Sequence, residues 1–210
     1  MNHNDHVNLL KPANLPTGGI WADFGAGEGA FTLAVRELTG PTADIFAIDK
    51  DSTRLKGLER DYRIRFGEPT NLHIIPGDFT HRLDLPVLDG IVMANSLHYF
   101  KNPKMDAVGG GSGEESDINP HSAQHESTNH SFNKVTILRQ VRSFLKPNGL
   151  LLLIEYNVDT GNPWVPYPMS FETWRAITLR AGFNEPRLLA KMPSSFLHEF
   201  YSAVVNKIGN

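Results

Sequence analysis

Short apolar runs alternate with stretches in helical register along most of this chain. Gly19–Phe24, Asp44–Ile48, Asn71–Pro76, Gly90–Ala94 and Gly149–Glu155 are mostly apolar on both faces of an extended segment, as strands inside a parallel sheet are. Arg187–Lys191 and Phe200–Val205 are weaker strand candidates. Ala30–Leu38 and Ser52–Phe66 read as helices that stop at Gly40 and Gly67, glycine being suited to a helix C-terminus. Lys134–Leu145 reads as another helix, halted before Pro147-Asn148-Gly149. A last helix is expected from Ser170 as N-cap to about Ala181-Gly182, with Phe171, Trp174, Ile177 and Thr178 at helical spacing. Strand and helix in alternation predict an α/β chain whose parallel sheet is covered on both faces.

One stretch interrupts this order. Residues 106–131 are rich in Gly, Ser, Asn, His and Glu and too poor in apolar groups to order themselves, so they read as a flexible insertion between the fourth strand and the next helix. His121 and His125 within it have the spacing of a helical metal pair, with Glu126 and His130 nearby. A helix is not expected in that composition, and no metal site is assigned.

The chain has 210 residues, 40% hydrophobic and 20% charged, with net charge −3, which suits one domain spanning 1–210. The absence of a basic run argues against nucleic acid and anionic membranes as partners. Without cysteine there is no disulfide, thiolate nucleophile or cysteine-based zinc site. No apolar run approaches the ~18 residues that cross a membrane, and no signal pattern opens the chain, so a cytoplasmic location is expected.

The most informative residues are Trp21-Ala22-Asp23-Phe24-Gly25-Ala26-Gly27-Glu28-Gly29. A glycine-rich turn between strand and helix places a small ligand against backbone amides at a helix start. Gly25-x-Gly27-x-x-Ala30 nearly fits the dinucleotide fingerprint, which leaves the ligand open. Asp23 and Glu28 would oppose the two charges of a pyrophosphate, whereas a ligand bearing cations, such as S-adenosylmethionine (AdoMet), suits them better.

From about residue 19 onward, further motifs follow in order. They are Asp49 closing Phe46-Ala47-Ile48-Asp49, Gly77-Asp78-Phe79, Asp89–His98 at strand four, and Leu145-Lys146-Pro147-Asn148-Gly149 leading into strand five. With the glycine turn, these make the chain resemble the class I AdoMet-dependent methyltransferases. The resemblance implies a Rossmann-like, doubly wound, mostly parallel seven-stranded sheet with the last strand antiparallel. It implies AdoMet as methyl donor and S-adenosylhomocysteine (AdoHcy) as product. Carried onto this sequence, the cofactor would be held by Asp23, Gly25, Ala26, Gly27, Gly29, Asp49, Lys50, Asp78, Phe79, Asn95 and Ser96. Asp23 would reach the methionine ammonium, Asp49 the ribose hydroxyls, and Asp78 the adenine amine with Phe79 against its ring.

Methyl transfer chiefly needs alignment, because the sulfonium is already a good electrophile. A general base is needed only where the acceptor must lose a proton. His98 follows strand four on the side where the methyl should point, and is read either as that base or as pocket wall; Glu155 and Tyr156 are the other catalytic candidates. Only about 18 residues precede the first strand, with Val7, Leu9 and Leu10 as anchors, so the roof common in small-molecule members is expected from the loop Glu155–Met169. Its Trp164 and Tyr167 would either overhang the donor or cover the sheet edge. The expected acceptor is a small molecule, aromatic or lipid-like, receiving the methyl on O, N or C; an exposed apolar roof would favour a homodimer.

Alternatives narrow the class. Asn95-Ser96-Leu97-His98 lacks the Pro-Pro-aromatic signature of enzymes that methylate exocyclic amines, and Ala94-Asn95-Ser96 offers too few oxygen ligands for a magnesium site. No Tyr-x-x-x-Lys pair supports a nicotinamide oxidoreductase. An AdoMet-binding protein without catalysis would carry the same cofactor motifs.

Overall fold

The computed structural model describes residues 1–68, 70–103 and 133–209. The insertion expected at 106–131, with its histidines, lies outside the described residues. The elements run α1 (His3–Leu10), a 3-10 turn (Lys11–Ala13), β1 (Ile20–Phe24), α2 (Ala30–Thr39), β2 (Asp44–Asp49), α3 (Ser52–Phe66), β3 (Leu72–Pro76) and β4 (Leu88–Ala94). They continue with α4 (Lys134–Phe144), β5 (Leu145–Tyr156), α5 (Phe171–Arg180), β6 (Arg187–Pro193) and β7 (Glu199–Asn206).

Seven strands form one sheet in the order β3-β2-β1-β4-β5-β7-β6, with β7 antiparallel to both of its neighbours and the pairs from β3 to β5 parallel. Apolar residues alternate between the two faces, which explains why the central strands read as continuous hydrophobic runs. One core joins Ile91, Met93, Leu151 and Leu153 to Ile137 and Leu138 of α4 and Trp174 and Ile177 of α5. The other joins Val92, Leu152 and Ile154 to Leu9 and Leu10 of α1, Phe31 and Val35 of α2, and Leu55 and Leu58 of α3. Strand order reverses between β1 and β4, and the crevice beyond their carboxyl ends is where an open α/β sheet binds its ligand.

Helix ends follow their side chains. Asp51 caps α3 by accepting from the Thr53 and Arg54 amides, Asn133 caps α4, and Ser170 caps α5 as expected. Leu145 departs from expectation: it is the first residue of β5, extended at φ −80° and ψ 142°, because it pairs with Leu88 of β4. Helix α1 was not read from the sequence, although Asn2 and Asp5 form a capping box that marks its start. Its Leu9 and Leu10 are buried as anticipated, and Ser202 Oγ of β7 donates to the Leu9 carbonyl at 2.6 Å. Among the described residues no helix is long and apolar enough to cross a membrane.

Candidate active site

The turn after β1 is built by backbone geometry. Gly25 (φ +83°) and Gly29 (φ +85°) occupy the left-handed region that L side chains rarely adopt. A Cβ on Gly25 would stand 2.6 Å from Ser96 Cβ, so this glycine lets the β1 and β4 loops touch. A Cβ on Gly29 would stand 2.3 Å from Leu58 Cγ, which makes Gly29 a packing residue between α2 and α3.

The amides of this turn are largely engaged within the protein. Gly25 and Ala26 donate to the Ile48 carbonyl at 2.9 and 3.0 Å, Gly29 donates to Ala26, and Gly27 donates to Asp49 Oδ2 at 2.8 Å. The sequence reading expected exposed amides, and the structure corrects it: four of them are already bonded. An anion such as pyrophosphate would find little donor capacity there, which strengthens the argument for a cationic ligand.

Asp23 is 1% exposed and accepts from Thr32 Oγ1 at 2.7 Å. Burial pushes its carboxyl up to about 7, the nearby Asp49 charge adds to this, and the Thr32 hydrogen bond offsets only part. Among the described residues no cation pairs with this carboxyl. Asp49 also accepts the Asp51 amide at 2.9 Å, and because Asp51 caps α3, Asp49 is left facing the crevice.

Around these residues lies a cavity of ≈ 570 Å³, within the range of ligand sites. It brings together Asp23, Gly25, Ala26, Gly27, Asp49, Lys50, Phe79, Asn95, Ser96 and His98 from the expected set. Gly29, Asp78, Glu155 and Tyr156 do not line it. Asp78 is occupied by Lys50 Nζ at 2.8 Å, His81 Nδ1 at 3.1 Å and the amide and hydroxyl of Thr80. Partial burial raises its carboxyl, but Lys50 and Thr80 outweigh that and hold it at about 2. Asp78 thus stands just outside the cavity with its oxygens engaged, while its neighbours Gly77 and Phe79 line the wall. Phe79 stacks on Phe24 at 5.7 Å, which fixes its ring in the wall.

Asn95 takes a left-handed φ of +51° at the end of β4. Its Oδ1 and the Ser96 Oγ are buried and lack a hydrogen-bond partner within the protein, while both residues line the cavity. His98 is 3% exposed, and its Nδ1 lies 3.2 Å from both Glu155 oxygens. A neutral imidazole that donates Nδ1–H to this carboxylate keeps Nε2 as an acceptor. Glu155 is wholly buried at the end of β5, with the Tyr156 amide donating to it at 2.8 Å. Tyr156 lies beside the imidazole, its ring 6.4 Å from His98 and 4.2 Å from Phe200.

The roof differs from expectation. Met1 and His6 of the N-terminal segment line the cavity together with Phe31, and the His6 and Phe31 rings are 5.0 Å apart. No residue of Glu155–Met169 lines it; Trp164 is 73% exposed, while the Tyr167 amide donates to the His98 carbonyl at 2.9 Å. Sequence reasoning also passed over Tyr99 and Phe100, two apolar rings directly after His98 that complete the wall.

A family model described as a methyltransferase domain matches residues 4–194. No curated protein matches the chain. Among solved structures, human N-acetylserotonin methyltransferase in complex with SAM aligns at 16% identity over 97% of this chain and 52% of that one, with TM-score 0.62. An O-methyltransferase family 2 protein from Planctomyces limnophilus in complex with apigenin aligns at 17% identity over 98% and 57%, with TM-score 0.64. A SAM-dependent methyltransferase from Aquifex aeolicus aligns at 17% identity over 97% and 90%, with TM-score 0.64. The chain thus spans just over half of the first two and nearly all of the third, and these likenesses concern the fold.

Proposed function

The chain belongs to the methyltransferase-domain family, and on that premise we propose that it methylates a hydroxyl of a small planar aromatic molecule, using AdoMet as donor and His98 as general base. The observation that carries this reading is the His98–Glu155 pair: an imidazole on the cavity wall whose Nδ1 faces both carboxylate oxygens at 3.2 Å. The wholly buried carboxylate fixes the orientation of the imidazole on the cavity wall, as a general base requires.

The donor fits the residues present. Asp23 offers a carboxyl to an ammonium and Phe79 a face to a flat ring, with Asn95 and Ser96 completing the wall between them. When bound, AdoMet supplies a methyl group on a sulfonium that leaves as a neutral thioether. The glycine turn and the β4 end set the donor's position, and the wall formed by His98 and Tyr99 sets the acceptor's. Holding both in line can remove up to ~7–11 kcal/mol of barrier. Glu155 holds the ring with Nε2 free, and Nε2 takes the acceptor's hydroxyl proton as the new O–C bond forms. Aromatic acceptors suit the rings of Phe79, Tyr99 and Phe100 on the cavity wall beside His98, where the His98 and Tyr99 rings lie 4.4 Å apart. The apigenin and N-acetylserotonin in the names of two structural neighbours are also aromatic.

The experiment is an AdoHcy-release assay with AdoMet and a panel of phenols, aromatic amines and polar metabolites. Turnover is expected with phenols, falling by about 10²–10⁴ in His98→Ala with AdoHcy affinity retained. Turnover confined to sugars or amino acids, or a loss below tenfold in His98→Ala, would refute the assignment.

A further inference from the structure

Lys134 is the first residue of α4 and its side chain is wholly buried, an unusual place for a lysine. Its ammonium does not enter the cavity. It donates to Asn102 Oδ1 at 2.6 Å and to the Tyr167 carbonyl, two neutral acceptors on different segments, while its backbone amide donates to the Lys101 carbonyl at 3.1 Å. Tyr167 in turn gives its own amide to the His98 carbonyl at 2.9 Å. One cation thus closes a ring of hydrogen bonds around residues 98–102, the segment that carries the imidazole into the site.

We propose that Lys134 is a positioning residue for His98: by pinning Asn102 and the Tyr167 peptide together, it holds the imidazole in register with Glu155. This rests on the reading of His98 as the base. The physical case is one of lever arm and alternatives. His98 sits on a loop after β4, and Glu155 on β5, and the 3.2 Å contact between them survives only if the loop does not drift along the strand end. Two side-chain hydrogen bonds from a charged donor are stronger and more directional than neutral ones, so the clamp resists that drift. Burial lowers the ammonium to about 8, while the negative charges of Glu155 and Asp159 act the other way, so the same cation also faces the carboxylate that orients the ring. A neutral residue of similar length at 134 would leave Asn102 Oδ1 and the Tyr167 carbonyl without their donor.

The test needs no acceptor substrate. Nitrogen-15 imidazole NMR of the AdoHcy-bound full chain, recorded above neutral pH, reads the two ring nitrogens of His98 separately. In the unaltered protein the Nδ1–H form is expected as the single species. Lys134→Met is expected to bring the two nitrogen shifts toward a common average, Lys134→Arg to restore their separation, and AdoHcy affinity to stay unchanged in both. If Lys134→Met fails to fold, Asn102→Ala removes one acceptor of the clamp and is expected to shift the same signals in the same direction. A Lys134→Met protein with lower melting temperature but an unchanged His98 pair of shifts overturns the proposal and leaves the base assignment standing. An unaltered protein already showing averaged tautomers overturns both.

Discussion

Removing the buried charge of Asp23 should stabilise the ligand-free protein while weakening donor binding. Asp23→Asn keeps an oxygen for Thr32 Oγ1 and nearly the same volume, so the loss of the titrating group is the main change. In the folded chain this carboxyl is raised by burial from 3.8 to about 7; at about 1.4 kcal/mol per pH unit, ionising it there costs roughly 4 kcal/mol more than in the unfolded chain. The sign follows from proton counting. Between about pH 4 and 7 the folded state holds a proton that the unfolded state has released, so the wild-type protein loses stability as pH rises across that window. Below it both states are protonated and the penalty is absent. Relative to wild type, Asp23→Asn should therefore gain roughly 1–2 kcal/mol near pH 5 and roughly 4 kcal/mol at about pH 8. Urea unfolding of both proteins at several pH values reads this directly, and in a melting curve the alkaline difference corresponds to roughly 8–16 °C for a chain of this size. The variant should bind AdoHcy more weakly, since the neutral amide cannot pair with the ammonium. A stability difference that is the same near pH 5 and about pH 8 would show that Asp23 is already ionised in the folded state, and the account of this site as a cation receptor would fail.

Glu155→Gln should lower phenol methylation by about 10²-fold with AdoHcy affinity preserved, because the amide can present its N–H to Nδ1 and favour the wrong tautomer; equal turnover in a steady-state assay would remove Glu155 from the mechanism. Gly25→Ala forces a Cβ against Ser96 at a φ of +83° and should cost about 1–3 kcal/mol in denaturant unfolding together with most of the AdoHcy affinity. Gly90→Ala would place a Cβ 2.1 Å from the Trp21 ring and should destabilise the fold by about 1–3 kcal/mol or more, read as an earlier unfolding midpoint with AdoHcy contacts untouched. Isothermal titration of AdoHcy in buffers of different ionisation enthalpy should reveal proton release below about pH 7 as Asp23 ionises against the bound ammonium, and no proton release in Asp23→Asn.

The alternation of doubly apolar runs with capped helices was enough to read the β1-to-β5 order and the glycine turn, because strand burial, caps and left-handed turns are properties of neighbouring residues. Asp51, Ser170 and Gly67 announce their helix ends in the same local way. Asp23, Asn95, Ser96 and Phe79 were legible for a related reason: each sits at the carboxyl end of a strand or just beyond it, and strand ends of a parallel sheet converge on one crevice. What escaped the sequence depends on partners far along the chain. Asp78 looks like a free acid until Lys50, Thr80 and His81 are seen to occupy it. Glu155 becomes the support of His98, rather than a second wall residue, only because parallel pairing of β5 with β4 brings two positions 57 residues apart within hydrogen-bond reach. The capping box of α1 was local, yet that its helix would roof the cavity was not, since Leu9 and Leu10 find their partners on β7 and α2 only after the sheet has formed. Periodicity and turn chemistry act within one element and can be read along a line. The pairing of a buried acid with a histidine, or of a buried lysine with two loops, is set by strand register and packing, which exist only in three dimensions.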